Sequence, residues 1–297
     1  MSQTSYENQP LIISGWSVES GVGVNSFLLS AALEAADRGY RTVLIELDTL
    51  HASTSVRTGM THKTRNLEKW LEYRKNEGSY MDIKDYLLNS KIWLNEQTAK
   101  NKSLQSIIEE IHPNFFQFTP SQEVDRFSGY NVPLFDDMIA EMIEQLKANG
   151  FEAIFIDLPS EILTQGVAQA MSLSDEIVVM TDGDLAHTVY TRKQLDSFMK
   201  EIDPDHFKIV INRVPTELIP AVEKNLGYKA WLTIPEDSKM MEYSMDLLPA
   251  GPDGFKKSAV KFLDGIHLKR KRGIKAVGKS EREKEKAQGF FSKLRAR

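Results

Sequence analysis

A short apolar strand pattern, Leu11-Ile12-Ile13-Ser14, passes through Gly15, Gly21 and Gly23 into a helical pattern that begins near Ser26. A strand, a glycine turn and a helix in immediate succession are the start of a βαβ unit, as in a parallel sheet. The turn has the layout of a phosphate-binding loop. Ser20, Gly21, Val22, Gly23, Val24, Asn25 and Ser26 are the candidate binding residues, because backbone N–H groups at a helix N-terminus can surround an anion. The cationic side chains are missing. In G-x-x-x-x-G-K-[ST] a lysine reaches the β- and γ-phosphates and a hydroxyl meets Mg²⁺, whereas Val24 and Asn25 occupy those places here. The loop is therefore expected to bind ATP or ADP with Mg²⁺ weakly, or not at all.

Val- and Ile-rich runs alternate with helical patterns along the rest of the chain, as in a parallel sheet buried on both faces. Strands are expected at residues 42–47, 115–118, 153–156, 176–180, 208–211 and 231–233. Helices are expected at residues 26–38, 67–73, 103–111 and 134–148, the first and last of these stopped by Gly39 and by Asn149-Gly150. The polar stretch 51–92 reads as helices and loops capping one edge of the sheet. The expected fold is thus α/β, a mostly parallel central sheet with helices on both faces. Trp16 follows the glycine of the turn and reads as a loop residue able to cover a phosphate cavity.

Composition narrows the function. Cysteine is absent, so disulfides, thiolate zinc sites and thiol nucleophiles are excluded, and the six scattered histidines give no metal-ligand spacing. No metal site made of side chains alone is expected. The N-terminus carries neither a basic start nor an apolar core, and no run of eighteen apolar residues occurs, so the chain is expected to be cytoplasmic. The net charge of −5 conceals an asymmetry: residues 267–297 hold twelve Lys/Arg and three Asp/Glu, leaving an acidic body. Such a body disfavours nucleic acid as a partner, while a basic tail suits an anionic membrane or an acidic protein.

In order along the chain stand Glu19-Ser20-Gly21-Val22-Gly23-Val24-Asn25-Ser26, Val43-Leu44-Ile45-Glu46-Leu47-Asp48, Ile154-Phe155-Ile156-Asp157-Leu158-Pro159, Ser174-Asp175-Glu176-Ile177-Val178-Val179, Ile209-Val210-Ile211-Asn212-Arg213, Ile234-Pro235-Glu236-Asp237 and Leu248-Pro249. Read together over residues 11–266, these segments resemble the MinD/ParA family of deviant Walker-A P-loop ATPases. That family's pattern is K-G-G-V-G-K-T-T, then V-L-L-I-D-x-D, D-x-I-I-D-x-P, a strand ending in N-r, and I-P-x-D. Within it, the CpaE/TadZ proteins of Tad/Flp pilus assembly include members with an atypical Walker A, which makes them the preferred subfamily.

The resemblance implies roles residue by residue. Gly21 and Gly23 match the loop glycines, and Ser26 matches a hydroxyl near the α-phosphate. Asp48 and Asp157 match the switch I and switch II aspartates that help arrange metal and attacking water, and would be catalytic only if the protein is active. Their place at the C-terminal ends of strands, where ligands sit in an open α/β sheet, favours a site role, the bland alternative for either being an inherited helix N-cap. Asn212 matches the adenine-reading asparagine and Pro235 the segment beside the base, the bland alternative for Asn212-Arg213 being a turn cap. Glu19 stands at the signature-lysine position. A carboxylate about 4 Å from a phosphate charge, at an effective dielectric near 20, is unfavourable by up to roughly 4 kcal/mol. Losing a cation that neutralises the transition state lowers phosphoryl transfer by about 10³-fold or more.

The expected organisation is a flexible start at 1–10, the P-loop domain at 11–266, a basic linker at 267–280 and an amphipathic basic tail at 281–297. In the tail, Ala287, Phe290, Phe291 and Leu294 fall on one stripe of a short helix, flanked by Lys293 and Arg295. These residues are the candidate membrane or partner contact. The leading expectation is a homodimeric pseudo-ATPase, a positioning or scaffold protein for a membrane-associated machine such as a pilus or secretion apparatus. It would associate reversibly with the inner face of the membrane. The alternatives are a slow genuine ATPase using Asp48 and Asp157, and a ParA-like DNA-partitioning protein.

Overall fold

The computed structural model describes residues 9–48, 52–77, 82–96, 102–121, 136–160 and 165–274. The elements run β1 (Leu11–Trp16), α1 (Val24–Asp37), β2 (Thr42–Glu46), α2 (Thr54–Thr58), α3 (Leu67–Glu77), β3 (Leu88–Asn89), α4 (Ser90–Glu96), α5 (Lys102–Ile108) and β4 (Phe115–Phe118). They continue with α6 (Asp136–Ala148), β5 (Ala153–Asp157), α7 (Gln165–Ser172), β6 (Glu176–Thr181), α8 (Leu185–Phe198), β7 (Phe207–Asn212), α9 (Ile219–Leu226), β8 (Leu232–Ile234), α10 (Met240–Met245) and α11 (Asp253–Gly265). The strands form one eight-stranded sheet in the order β3-β4-β2-β5-β1-β6-β7-β8, and every pair is parallel except β3 with β4.

Alternation along the strands divides the core between two layers. Ile12, Val43, Ile45, Ile154 and Ile156 face the side covered by α6 and α7, while Ile13, Leu44, Phe155 and Val178 face α1 and α11. Because α1 is sandwiched between the sheet and α11, it is apolar nearly all round, with Phe27, Leu28, Leu29, Ala31, Ala32, Ala35 and Ala36 buried. Phe27 meets Phe262 edge-to-face at 5.3 Å. The expected α/β sheet is present, and the region expected only to cap an edge also contributes the antiparallel strand β3.

Trp16 corrects its sequence reading. It ends β1, is fully buried, packs edge-to-face on Phe198 at 5.4 Å and donates its indole N–H to the Ser160 carbonyl at 3.3 Å. It is a core residue and does not cover the loop.

The register pairs Gly15 with Asp157 and Glu46 with Asp157, so the C-terminal ends of β1, β5 and β2 lie side by side at the mouth of the loop. The opposite edge of the sheet receives the start of the basic run. Arg38, 4% exposed at the end of α1, binds Glu34 at 3.0 Å, Asp264 at 2.7 Å and the Leu268 carbonyl at 2.7 Å. Lys271 binds Glu152 at 2.6 Å, and Arg270 donates to the Asp37 carbonyl. The first part of the expected linker, through Ile274, is therefore docked on the body. Residues 275–297, including Phe290, Phe291, Lys293, Leu294 and Arg295, and most of the expected flexible start lie outside the described residues. Among the described residues no helix is long and apolar enough to cross a membrane.

Candidate functional site: a phosphate-type loop closed by its own side chains

The loop runs from β1 to α1 through two glycines in the left-handed region, Gly21 at φ 81° and Gly23 at φ 115°. Gly23 caps α1 without a side-chain hydrogen bond, so the first-turn amides of the helix receive no side-chain cap. That is the backbone of an anion cradle. Glycine at 23 also answers a close approach, since a Cβ there would lie 2.6 Å from the Asn212 Nδ2.

Two residues at the end of β7 hold the loop from outside. Buried Asn212 donates its amide to the Val22 carbonyl at 2.7 Å, and Arg213, itself at φ 60°, donates to the Gly21 carbonyl at 2.8 Å. The Arg213 N–H donates to the Ile234 carbonyl at 2.8 Å, which sets exposed Pro235 at the same edge. Asn212, Pro235 and the loop are thus brought together. In this geometry the Asn212 amide is committed to the loop backbone.

The positions that carry phosphate chemistry in P-loop enzymes are filled differently. Val24 is 7% exposed, and a Cβ on Gly15 would fall 2.8 Å from its Cγ1, so the side chain packs down onto β1. Glu19 and Ser20 are exposed, Val22 and Ser26 buried. Asn25 faces the ends of β2 and β5. Its Nδ2 lies 2.8 Å from the Asp157 carboxylate, 3.0 Å from Glu46 and 2.9 Å from the Thr54 hydroxyl, while its Oδ1 accepts the Ser53 hydroxyl at 2.8 Å. Glu46 also accepts the Ser53 N–H at 2.7 Å and the Thr54 N–H at 3.2 Å.

Two carboxylates this close and this deep cannot both carry full charge cheaply. Glu46, 1% exposed, is pushed up to about 7, mainly by burial; the Ser53 and Thr54 hydrogen bonds pull the other way. Asp157 is raised well above the usual carboxylate range by burial first and by the Glu46 charge second, and Asn25 opposes the shift. Asp48, half-buried, stands near enough to raise both. Among the described residues, Arg57 on α2 is the cation whose charge acts on Asp157. Burial lowers its pKa, and the charges of Glu46 and Asp157 raise it again.

Sequence reading placed Asp48, Asp157, Asn25 and the glycines at one edge, and the structure brings them together there. It missed Glu46, Ser53, Thr54 and Arg57. The available signal was Glu46 in Val43-Leu44-Ile45-Glu46, where an acid ends an apolar strand at the ligand-bearing edge of the sheet. A separate cavity of about 290 Å³, lined in part by His62, Lys63, Arg65, Thr119 and Ser121, opens beyond β4 and includes no loop residue.

A parallel sheet with a glycine loop between β1 and α1 and acids at the ends of β2 and β5 has the layout of the P-loop NTPase-type α/β fold. Comparison with solved structures narrows the fold to the MinD/ParA type. MinD from Pyrococcus furiosus superposes with a TM-score of 0.64 at 20% identity, covering 87% of this chain and 99% of that one. MinD from Pyrococcus horikoshii, complexed with Mg-ADP, gives 0.62 at 19% identity, covering 87% and 98%. A ParA family ATPase from Chlorobium tepidum gives 0.59 at 16% identity, covering 86% and 98%. No protein-family model matches the sequence, and no curated protein matches it.

Proposed function

We propose that this chain is a pseudo-ATPase on the MinD/ParA fold, a dimerising positioning or scaffold protein for a membrane-associated machine such as a Tad/Flp pilus or secretion apparatus. The observation that carries the reading is Asn25. A bound Mg²⁺ and triphosphate would bring their own charge to the acids at this edge, but the donors there are already supplied by Asn25, Ser53 and Thr54. Val24 offers no cation and points into the core. The α1 N-terminus and the glycines suit an anion, so the cradle fits a phosphate group; the side chains beside it do not fit a metal-bound triphosphate.

In the proposed role the protein's own residues maintain shape without driving turnover. Asn212 and Arg213 fix the loop, and the Asn25 network fixes the β2 and β5 ends against α2. The loop face would meet the second copy, and the tail 281–297 would touch an anionic surface with affinity that rises when two tails act together. Isothermal titration with ATP and with ADP, each with and without Mg²⁺, tests the nucleotide part. Weak or absent binding without phosphate release supports it, and phosphate release that disappears in Asp157→Asn overturns it. Unchanged co-sedimentation with anionic liposomes after deletion of residues 281–297 would remove the membrane part.

A second reading, a slow genuine ATPase using Asp48 and Asp157, is favoured by Arg57, whose guanidinium lies within electrostatic reach of the buried carboxyls of Asp157 and Glu46. It requires that Arg57→Ala abolish a measurable turnover.

A further inference from the structure

In P-loop switches, segments beside the nucleotide are ordered by contacts to a metal and a terminal phosphate. Here side chains of the chain itself reach the start of α2. Asn25, at the first turn of α1, contacts four groups from three separate places: Glu46 at the end of β2, Asp157 at the end of β5, and Ser53 with Thr54 at the start of α2. All the contacts fall between 2.8 and 3.0 Å, so both ends of the amide are used. The α2 segment is then bound a second time, because the Ser53 and Thr54 amides donate to Glu46. Thr54 is fully buried.

We infer that Asn25 fastens residues 53–58 to the loop–helix junction directly, so that this segment is held in its ordered position with no ligand bound. The inference deepens the pseudo-ATPase reading and rests on it for its biological meaning. The contacts it rests on are all made within the chain. A threonine or serine at position 25 has a single hydroxyl and cannot reach three strand and helix ends at once, whereas an amide has two donor hydrogens and a carbonyl. Removing the amide leaves Glu46 and Asp157 facing each other with fewer donors and leaves the Ser53 hydroxyl without its acceptor.

Hydrogen–deuterium exchange on the nucleotide-free, full-length chain tests this, reading peptides over residues 52–60 with peptides over β7 as the internal reference. Asn25→Ala is expected to speed exchange of the 53–58 amides at least tenfold while β7 stays unchanged. Ser53→Ala, which removes one bond and keeps the rest, is expected to act in the same direction by a smaller factor, and decides the matter if Asn25→Ala does not fold. Equal exchange in wild type and variants, or unprotected 53–58 amides in wild type, overturns the inference. Titration of wild type with MgATP separates the two ideas: tight binding with turnover ends the pseudo-ATPase reading and leaves the exchange result standing, whereas equal exchange in wild type and Asn25→Ala, with no turnover, ends only the fastening role.

Discussion

Glu46→Gln should change how stability depends on pH. The Glu46 carboxyl is 1% exposed and raised from 4.5 to about 7, so the folded state holds its proton more tightly than the unfolded chain does. A raised acid contributes stability that is complete below the unfolded value and is lost as pH climbs through the folded one. The window is therefore about pH 4.5 to 7. The shift corresponds to on the order of 3 kcal/mol, taking about 1.4 kcal/mol per unit. Glutamine keeps an oxygen for the Ser53 and Thr54 amides and removes the titration. Urea unfolding of both proteins at pH 5, 6, 7 and 8 should show the variant gaining on wild type by that order across the window and levelling off above it. The Glu46 charge also raises Asp157, so removing it eases ionisation of Asp157. A stability difference that stays constant from pH 5 to 8 would refute the claim that burial raises the Glu46 carboxyl to about 7.

Gly23→Ala combines a left-handed backbone with a Cβ 2.6 Å from the Asn212 amide, and chemical denaturation should show a loss of about 1–3 kcal/mol. Asn212→Ala leaves the buried Val22 carbonyl unpaired, which should cost about 1–3 kcal/mol in the same assay without requiring any ligand. Trp16→Ala, which empties a fully buried site against Phe198, should cost about 3–5 kcal/mol and lower the thermal midpoint accordingly.

The order of strands and helices was legible because most central strands are continuous apolar runs and the helices at 26–38 and 134–148 carry stops at Gly39 and Gly150. The failure at Trp16 has a specific cause. Ser14-Gly15 reads as the start of a turn, yet the strand continues, and Gly15 is needed because Val24 and Leu28 press against the space a Cβ would occupy. Strand β3 has only two residues, too few to show a period of two, and it exists through pairing with β4. The site was half legible. Its glycines and Asp157 sit in a local motif, but the bonds of Asn25 reach residues 21, 28, 29 and 132 positions away, and no local pattern announces them. Arg57 and Thr54 lie in a polar stretch whose composition is that of an ordinary surface loop, and only the fold turns it inward.

Phosphate release from MgATP by the purified full-length chain, measured beside the Val24→Lys/Asn25→Thr double variant and an enzyme-free blank, bears most directly on the central claim. The account predicts that wild type matches the blank, because Val24 and Asn25 have given the cationic and metal-facing positions over to packing and to an internal amide network. Wild-type turnover above the blank that vanishes in Asp157→Asn would contradict it.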